Sequence, residues 1–380
     1  MPGPLAGLRV LEMVGIGPGP FCAMLLADMG ADVIRIHPKD KGRTVSLLDT
    51  SYDVLARGRR SIAIDLKKPG AVETVLKLID RTDALVEGFR PGVMERLGLG
   101  PDVCLGRNER LVFGRMTGWG QDGPLAQMAG HDLNYLALTG VLHALGTEGS
   151  PPPPPLNVVA DMGGGGMSLA FGIVCAILEA RKSGQGQVVD AAMTDGAALL
   201  ASMIFGFKAA GVWSNARGAN LLDGGAPFYT TYECADGLYV CVAAIEPQFY
   251  SLLLEKLGLD VAEFQPQNDP ACWPGRKSLL TAAFKTRKRD DWAKLFDGTD
   301  ACVSPVLNWD EAMAHDHNRA RSSFVDIAGV RQPAPAPRFS RTSPDIPKPP
   351  PAVGLHSQEI LREHGFTADE IAELQKNKAL

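Results

Sequence analysis

Two short segments carry the residues best suited to chemistry. Gly130-His131-Asp132-Leu133-Asn134-Tyr135 sets a histidine, the side chain whose unperturbed pKa lies nearest neutrality, in a polar cluster opened by glycine. Further along, Asp161 stands just before the glycine run Gly163-Gly164-Gly165-Gly166, which leads into the apolar stretch Met167 to Leu178. That stretch reads as a helix. Glycines there would let backbone approach a ligand closely, and free N–H groups at a helix start can hold an anion. A histidine, a carboxylate and an oxyanion site are what proton abstraction beside a carbonyl requires. A third acidic candidate, Glu246, follows the apolar run Val242-Ala243-Ala244-Ile245 at the mouth of a turn, where it could orient a histidine.

The elements that must position these residues start with a β-α-β unit. Leu8 to Val14 is a branched apolar run between glycines and predicts a buried strand. Gly15 to Pro20 is a turn, Phe21 to Met29 has helical spacing, and Ala31 to Ile36 is a second strand. The alternation continues through strand 61–65, helix 71–81 and strands 84–87 and 111–115, which argues for a doubly wound parallel sheet. Ligands in such sheets sit beyond the carboxyl ends of the strands, near Gly15, Arg90 and Met116.

The five prolines Pro151 to Pro155 predict a stiff connector. Long helices are expected over 163–183 and 190–210. A hairpin follows around Ala235-Asp236-Gly237, joining strands 228–233 and 238–244. Helices then run to Phe296, and Cys302 to Leu307 returns as a strand. The chain therefore divides into a large domain over 1–200, completed by 320–380, and a small α+β domain over 225–310. Residues 201–224 and 311–320 link them. Thr367 with Glu370 forms a capping box for a closing helix.

Composition excludes other classes. The chain has 380 residues, 45% apolar and 21% charged, with a net charge of −5 that offers no attraction to nucleic acid or an anionic membrane. Its longest apolar runs fall short of the roughly 20 residues a span needs, so no membrane insertion is expected. Seven scattered cysteines without a C-x-x-C pair indicate reduced thiols and a cytoplasmic protein. No zinc-ligand spacing, P-loop or G-x-S-x-G elbow is present, and no metal is expected. The glycine turn has prolines at 18 and 20, and His37-Pro38 stands where a dinucleotide fold wants an acid, which argues against a nicotinamide cofactor. Basic clusters at Arg57 to Arg60 and Arg287 to Arg289 would suit a phosphorylated ligand or simply face solvent.

At its motifs the chain resembles the family III CoA-transferase superfamily, and within it the racemase branch acting on 2-methyl-branched acyl-CoA thioesters. The matching segments include Gly3 to Val10, Gly15 to Pro20, Glu87 to Val93, Met116 to Gly120, Gly130 to Tyr135 and Asp161 to Gly165. Gly186 to Met193, Arg217 to Asn220, Gly224 to Tyr229 and Ile245 to Tyr250 complete them. The resemblance covers about residues 1–340.

It implies a Rossmann-like large domain and a smaller α+β domain in an interlocked homodimer, working on acyl-CoA without a further cofactor. It implies that His131 and Asp161 transfer protons on opposite faces of the substrate α-carbon, the histidine serving the S and the aspartate the R epimer. Glu246 would hold the tautomer of His131, and the backbone N–H of Asp161 would hold the thioester oxygen. Asn157 and Tyr229 would shield the site. CoA would contact Ile16, Arg43, Ile64, Asp65, Leu66, Lys67, Gly88, Phe89, Arg90, Arg96 and Gly130 through Asp132, Leu133, Asn134 and Tyr135. Relatives often carry an arginine after the second strand, where Lys39 or Arg43 would substitute here. Met116, Met162, Met167 and Met193 offer a soft surface for acyl chains, or plain core.

Two other readings compete. Family III CoA-transferases use an aspartate at the position of Asp161 as a nucleophile, forming a mixed anhydride. A non-catalytic acyl-CoA-binding protein needs neither proton-transfer group. His131 and Glu246 favour the racemase.

Overall fold

The computed structural model describes residues 3–39 and 50–380. Two compact units result. The first comprises 1–139, 155–200 and 322–380; the second comprises 140–154 and 201–321. The proline-rich stretch 140–154 and both expected linkers thus group with the second unit.

The first unit is built on a six-stranded parallel sheet in the order β3-β2-β1-β4-β5-β6. Its strands are β1 (Arg9–Met13), β2 (Asp32–His37), β3 (Arg59–Ala63), β4 (Ala84–Glu87), β5 (Val112–Thr117) and β6 (Val188–Ala192). The strand order reverses between β1 and β4, which opens a crevice at their carboxyl ends. Each predicted strand of this half is present within two residues. The exception is β6: residues 190–192 were expected in a helix. Val188 to Ala192 instead pairs in register with Phe113 to Thr117. An edge strand takes its stability from that pairing, and a short Val-Val-Asp-Ala-Ala run has little local preference of its own.

On one face of the sheet lie α2 (Ala71–Ile79), α3 (Val93–Arg96) and α4 (Pro101–Arg107). There Leu11, Ile34, Ile62, Leu85 and Phe113 make a continuous core with Val75 and Leu78 of α2. The same core takes Ile360 and Leu361 of α15 (Ser357–Glu363) and Ile371 and Leu374 of α16 (Ala368–Lys376). Thr367 caps α16 as expected: its side chain accepts from the Glu370 N–H at 3.2 Å, and Glu370 returns the bond at 2.6 Å. A two-stranded antiparallel ribbon, β10 (Phe324–Ile327) with β11 (Val330–Pro333), completes this part of the unit.

The other face carries α1 (Pro18–Asp28) and charge. Glu12 of β1 is fully buried, bonded by Arg35 at 2.8 Å and Arg59 at 3.1 Å. Arg57 is buried against Asp28 and Gln332, and Arg60 pairs with Asp32 and Glu363. The basic cluster Arg57 to Arg60 is therefore engaged in ion pairs inside the fold, correcting its reading as an anion site or a solvated face.

Helix α5 (Asp132–Ala137) precedes the second half of this unit. The glycine run lies in a π-helical segment, Val158–Met167, continuous with α7 (Ser168–Ser183) and followed after β6 by α8 (Met193–Leu200). A Cβ on Gly164 would lie 2.6 Å from the Ala197 nitrogen, and one on Gly196 would lie 1.8 Å from the Gly164 oxygen. Gly165 and Gly166 meet Met193, Pro18 and Phe21 as closely. The four glycines therefore bring three helices together; the close approach expected for a ligand is to neighbouring helices of the protein itself. Val158–Ser183 spans 26 residues and is long and apolar enough to cross a membrane by length and composition, contrary to the shorter runs expected. Its inner side is nonetheless buried in this unit, through Ala160, Leu169, Ile173 and Ile177.

The second unit holds α6 (Val141–Ala144), α9 (Ser202–Ala209) and an antiparallel sheet of β7 (Tyr229–Glu233), β8 (Tyr239–Ala243) and β9 (Val303–Pro305). Against it pack α10 (Pro247–Leu257), α11 (Trp273–Phe284) and α12 (Arg289–Phe296), through Phe228, Tyr250, Trp273, Phe284 and Trp292. Two short helices, α13 (Trp309–Ala314) and α14 (Asp316–Ala320), close it.

Candidate active site

His131 is the N-cap of α5, in extended conformation, and its side chain is exposed. Its backbone N–H donates to the Asn134 side chain at 3.1 Å, which fixes the residue that carries the imidazole. Beneath it sits Tyr135, buried, its hydroxyl donating to the Gly130 carbonyl and its ring edge-on to Trp119 at 4.8 Å. Gly118 and Gly130 are required by that ring: a Cβ on either would fall within 2.6 Å of it. Tyr135 thus supports the histidine turn from below, where a CoA contact was expected.

Asp161 lies in the first turn of the π-helical segment, half-buried, with Asn157 Nδ2 at 3.3 Å from its Oδ2. Gly17, at φ +67°, faces the same oxygen: a Cβ added there would lie 3.4 Å from it. The glycine turn after β1 therefore abuts the carboxylate. Burial raises the Asp161 carboxyl above its ordinary value, and the charge of Asp132 adds to this. The Asn157 hydrogen bond and His131 act in the opposite sense without cancelling it. His131 and Asp161 belong to one unit and act on each other electrostatically.

Asp132 departs from expectation. Only 5% exposed, it accepts the backbone N–H of Ala160 at 2.8 Å and of Asp161 at 2.7 Å on its Oδ2. The N–H expected to receive a thioester oxygen is thus already engaged, and Asp132 faces the protein interior. The first N–H groups of a helix need an acceptor, and Asp132, 28 residues before Ala160 in the chain, supplies one.

Among the expected CoA contacts, Ile16, Gly88, Arg90, Arg96, Leu133, Asn134 and Lys67 are exposed. Arg90 also acts on Tyr135, lowering a hydroxyl that burial and Asp161 hold above its usual value. Phe89 is half-buried and donates its N–H to Glu87 at 2.7 Å. Ile64 lies in the core with its N–H on the His37 carbonyl at 2.8 Å, and Leu66 packs against that core. Asp65, half-buried, accepts the Lys67 N–H at 3.1 Å in an exposed turn. Of these four residues Lys67 presents charge to solvent. Lys39 bonds the carbonyl oxygen of Leu380, and Arg43 lies outside the described residues. Met116 and Met193 are buried against Gly165, so they serve as core, whereas Met167 is exposed.

Glu246 and Tyr229 stand in the second unit. Glu246 is the exposed N-cap of α10, with Pro247 at the first helical position and no side-chain capping bond. Its charge is felt by Cys302, whose thiol is raised by burial first and by Glu246 next. Among the described residues, no cluster of His, Cys, Asp and Glu could hold a metal ion.

The model of CoA-transferase family III matches residues 5–357. The chain is 48% identical to the α-methylacyl-CoA racemase of Mus musculus, covering 98% of this chain and 97% of that protein. It is 45% identical to the α-methylacyl-CoA racemase of Homo sapiens, covering 99% and 97%. The crystal structure of a CAIB/BAIF family protein from Brucella suis superposes with a TM-score of 0.80 at 26% identity, over 96% of this chain and all of that one.

Proposed function

We propose that this chain, which belongs to CoA-transferase family III, is a racemase of 2-methyl-branched acyl-CoA thioesters. The observation that carries the reading is a second proton carrier, His131, in the same unit as Asp161. Anhydride exchange needs a nucleophilic carboxylate alone. Near-full-length identity to two racemases supports it.

The chemistry follows from the two groups. In the R epimer the Asp161 carboxylate takes the α-proton, and the electron pair moves onto the thioester oxygen as an enolate. The His131 imidazolium then returns a proton to the opposite face. For the S epimer the roles reverse. Two carriers are needed because a single base on one face returns the proton where it was taken. Each pK unit of mismatch between carbon acid and base costs about 1.4 kcal/mol, so a raised Asp161 carboxyl narrows the gap. Exposed Lys67, Arg90 and Arg96 supply positive charge for the CoA phosphates in a chain of net charge −5.

NMR of a 2-methylacyl-CoA in deuterated water with the enzyme should show loss of the α-proton signal together with the second epimer. No carboxylic acid need be added, no free thiol should appear, and hydroxylamine should trap no acyl group on Asp161. Conversion of a labelled acid to its CoA ester as fast as epimerisation would make the chain a transferase instead.

The chain acts as a homodimer. Met167, Phe171 and Leu178 of the helix through α7 are 54%, 73% and 54% exposed, and Cys175 between them is exposed too. Their spacing of four, four and three residues makes one apolar stripe, which supports its burial by a second copy. Light scattering of dilute protein should give twice the chain mass; a stable, active monomer would refute the dimer. All seven cysteines are unpaired, which supports a cytoplasmic location.

A further inference from the structure

We infer that Asp132 is the positioning residue of the proton-transfer pair: it tethers the backbone of Asp161 to the turn that carries His131 and sets a fixed charge beside the Asp161 carboxyl. This rests on the racemase reading for its catalytic consequence but not for its electrostatic one.

The geometry is specific. Asp132 follows His131 directly and begins α5, so its backbone moves with the histidine. Its Oδ2 receives two N–H groups from the opposite element, those of Ala160 at 2.8 Å and Asp161 at 2.7 Å. Both are first-turn donors of the π-helical segment, with no partner inside their own helix. Bonds from N–H to a carboxylate are about twice as strong as neutral ones, and these are buried. One side chain thereby ties together the two residues that must face one carbon atom. The second oxygen, Oδ1, is buried with no partner among the described residues, so the carboxylate does no other visible work in this unit.

The charge acts as well as the geometry. Around the Asp161 carboxyl stand Asp132 and His131 from α5 and its cap, Asn157 from the preceding turn, and the Tyr135 hydroxyl, itself within reach of Arg90. Asp132 is the acidic member of that set, and it makes Asp161 the stronger base.

Two variants separate tether from charge. Asp132→Asn keeps an oxygen for both N–H groups and removes the charge; Asp132→Ala removes both. In Asp132→Asn the titration of Asp161, followed by 13C NMR, should move to lower pH, whether or not the chain epimerises anything. The acid limb of its kcat/KM profile should move the same way, with a smaller loss of turnover than in Asp132→Ala. Asp132→Ala should lose about 100-fold in kcat, the usual result of an ångström-scale misplacement, with the Kd for CoA within twofold of the parent. Should Asp132→Ala not fold, Asp132→Asn carries the test alone. An unmoved Asp161 titration, or weaker CoA binding at unchanged kcat, would overturn the inference and return Asp132 to the CoA contacts. If the parent enzyme shows no epimerisation while the Asp161 titration moves, the racemase reading fails and the electrostatic role of Asp132 stands.

Discussion

Alanine at His131 or at Asp161 should lower epimerisation by about a thousandfold, within the range by which a positioned acid or base speeds proton transfer. That corresponds to roughly 4 kcal/mol of transition-state stabilisation. The two variants should fail differently. Asp161→Ala retains the imidazole, so the S epimer should still exchange its α-proton slowly with deuterated solvent while the R epimer stays inert. His131→Ala should show the reverse preference. Neither variant should convert one epimer into the other at more than background rate, because inversion needs a carrier on each face. NMR of each pure epimer measures exchange and inversion together. Near-normal inversion in either variant would remove that residue from the proton path. Both side chains are at least partly exposed at the ends of helical turns, so their loss should leave stability within about 0.5 kcal/mol of the parent.

The largest effect on stability is expected far from that chemistry. Glu12→Ala leaves Arg35 and Arg59 buried without their shared carboxylate, whose two oxygens they contact at 2.8 and 3.1 Å. Breaking a buried pair from one side costs about 3–5 kcal/mol. For many domains that is a large part of the total. Burial alone would raise the Glu12 carboxyl, but Arg35 and Arg59 outweigh it and hold it below the ordinary value of 4.5. A carboxyl lowered by folding stabilises above its unfolded pKa, and that contribution is lost as pH falls through the folded value. Urea denaturation should therefore show the parent losing stability below about pH 4.5, with Glu12→Gln flatter across the same window. If Glu12→Ala matches the parent in urea midpoint at pH 7, the triad carries no net stability.

Much of this architecture was legible along the chain. The strands and helix of the first β-α-β unit, the hairpin around Asp236-Gly237 and the Thr367 cap each show in patterns a few residues long. Local pattern, glycine punctuation and capping chemistry are enough to place them. The histidine and aspartate also stood out, as chemically capable side chains in glycine-rich settings. The basic cluster Arg57 to Arg60 was legible only as charge. Its partners Asp28, Glu12 and Asp32 lie on other elements, and no local pattern distinguishes a buried, paired arginine from a solvated one.

The sequence by itself determined the first five strands, the helices α1 and α2 between them, and two groups suited to carry protons, because those properties reside in neighbouring residues. Only the tertiary structure decided three other things: the place of β1 between β2 and β4, the strand character of Val188 to Ala192, and the work of the glycine run. A glycine needed by a ligand and one needed by a crossing helix look alike until the neighbour is in place. The same holds for Asp132. Its type and position suggest a ligand contact, and only the fold brings the unsatisfied N–H groups of Ala160 and Asp161 to its carboxylate. Hydrogen bonds between elements distant in the chain carry no local periodicity, so the tether between the two proton carriers becomes visible only when the helices have packed.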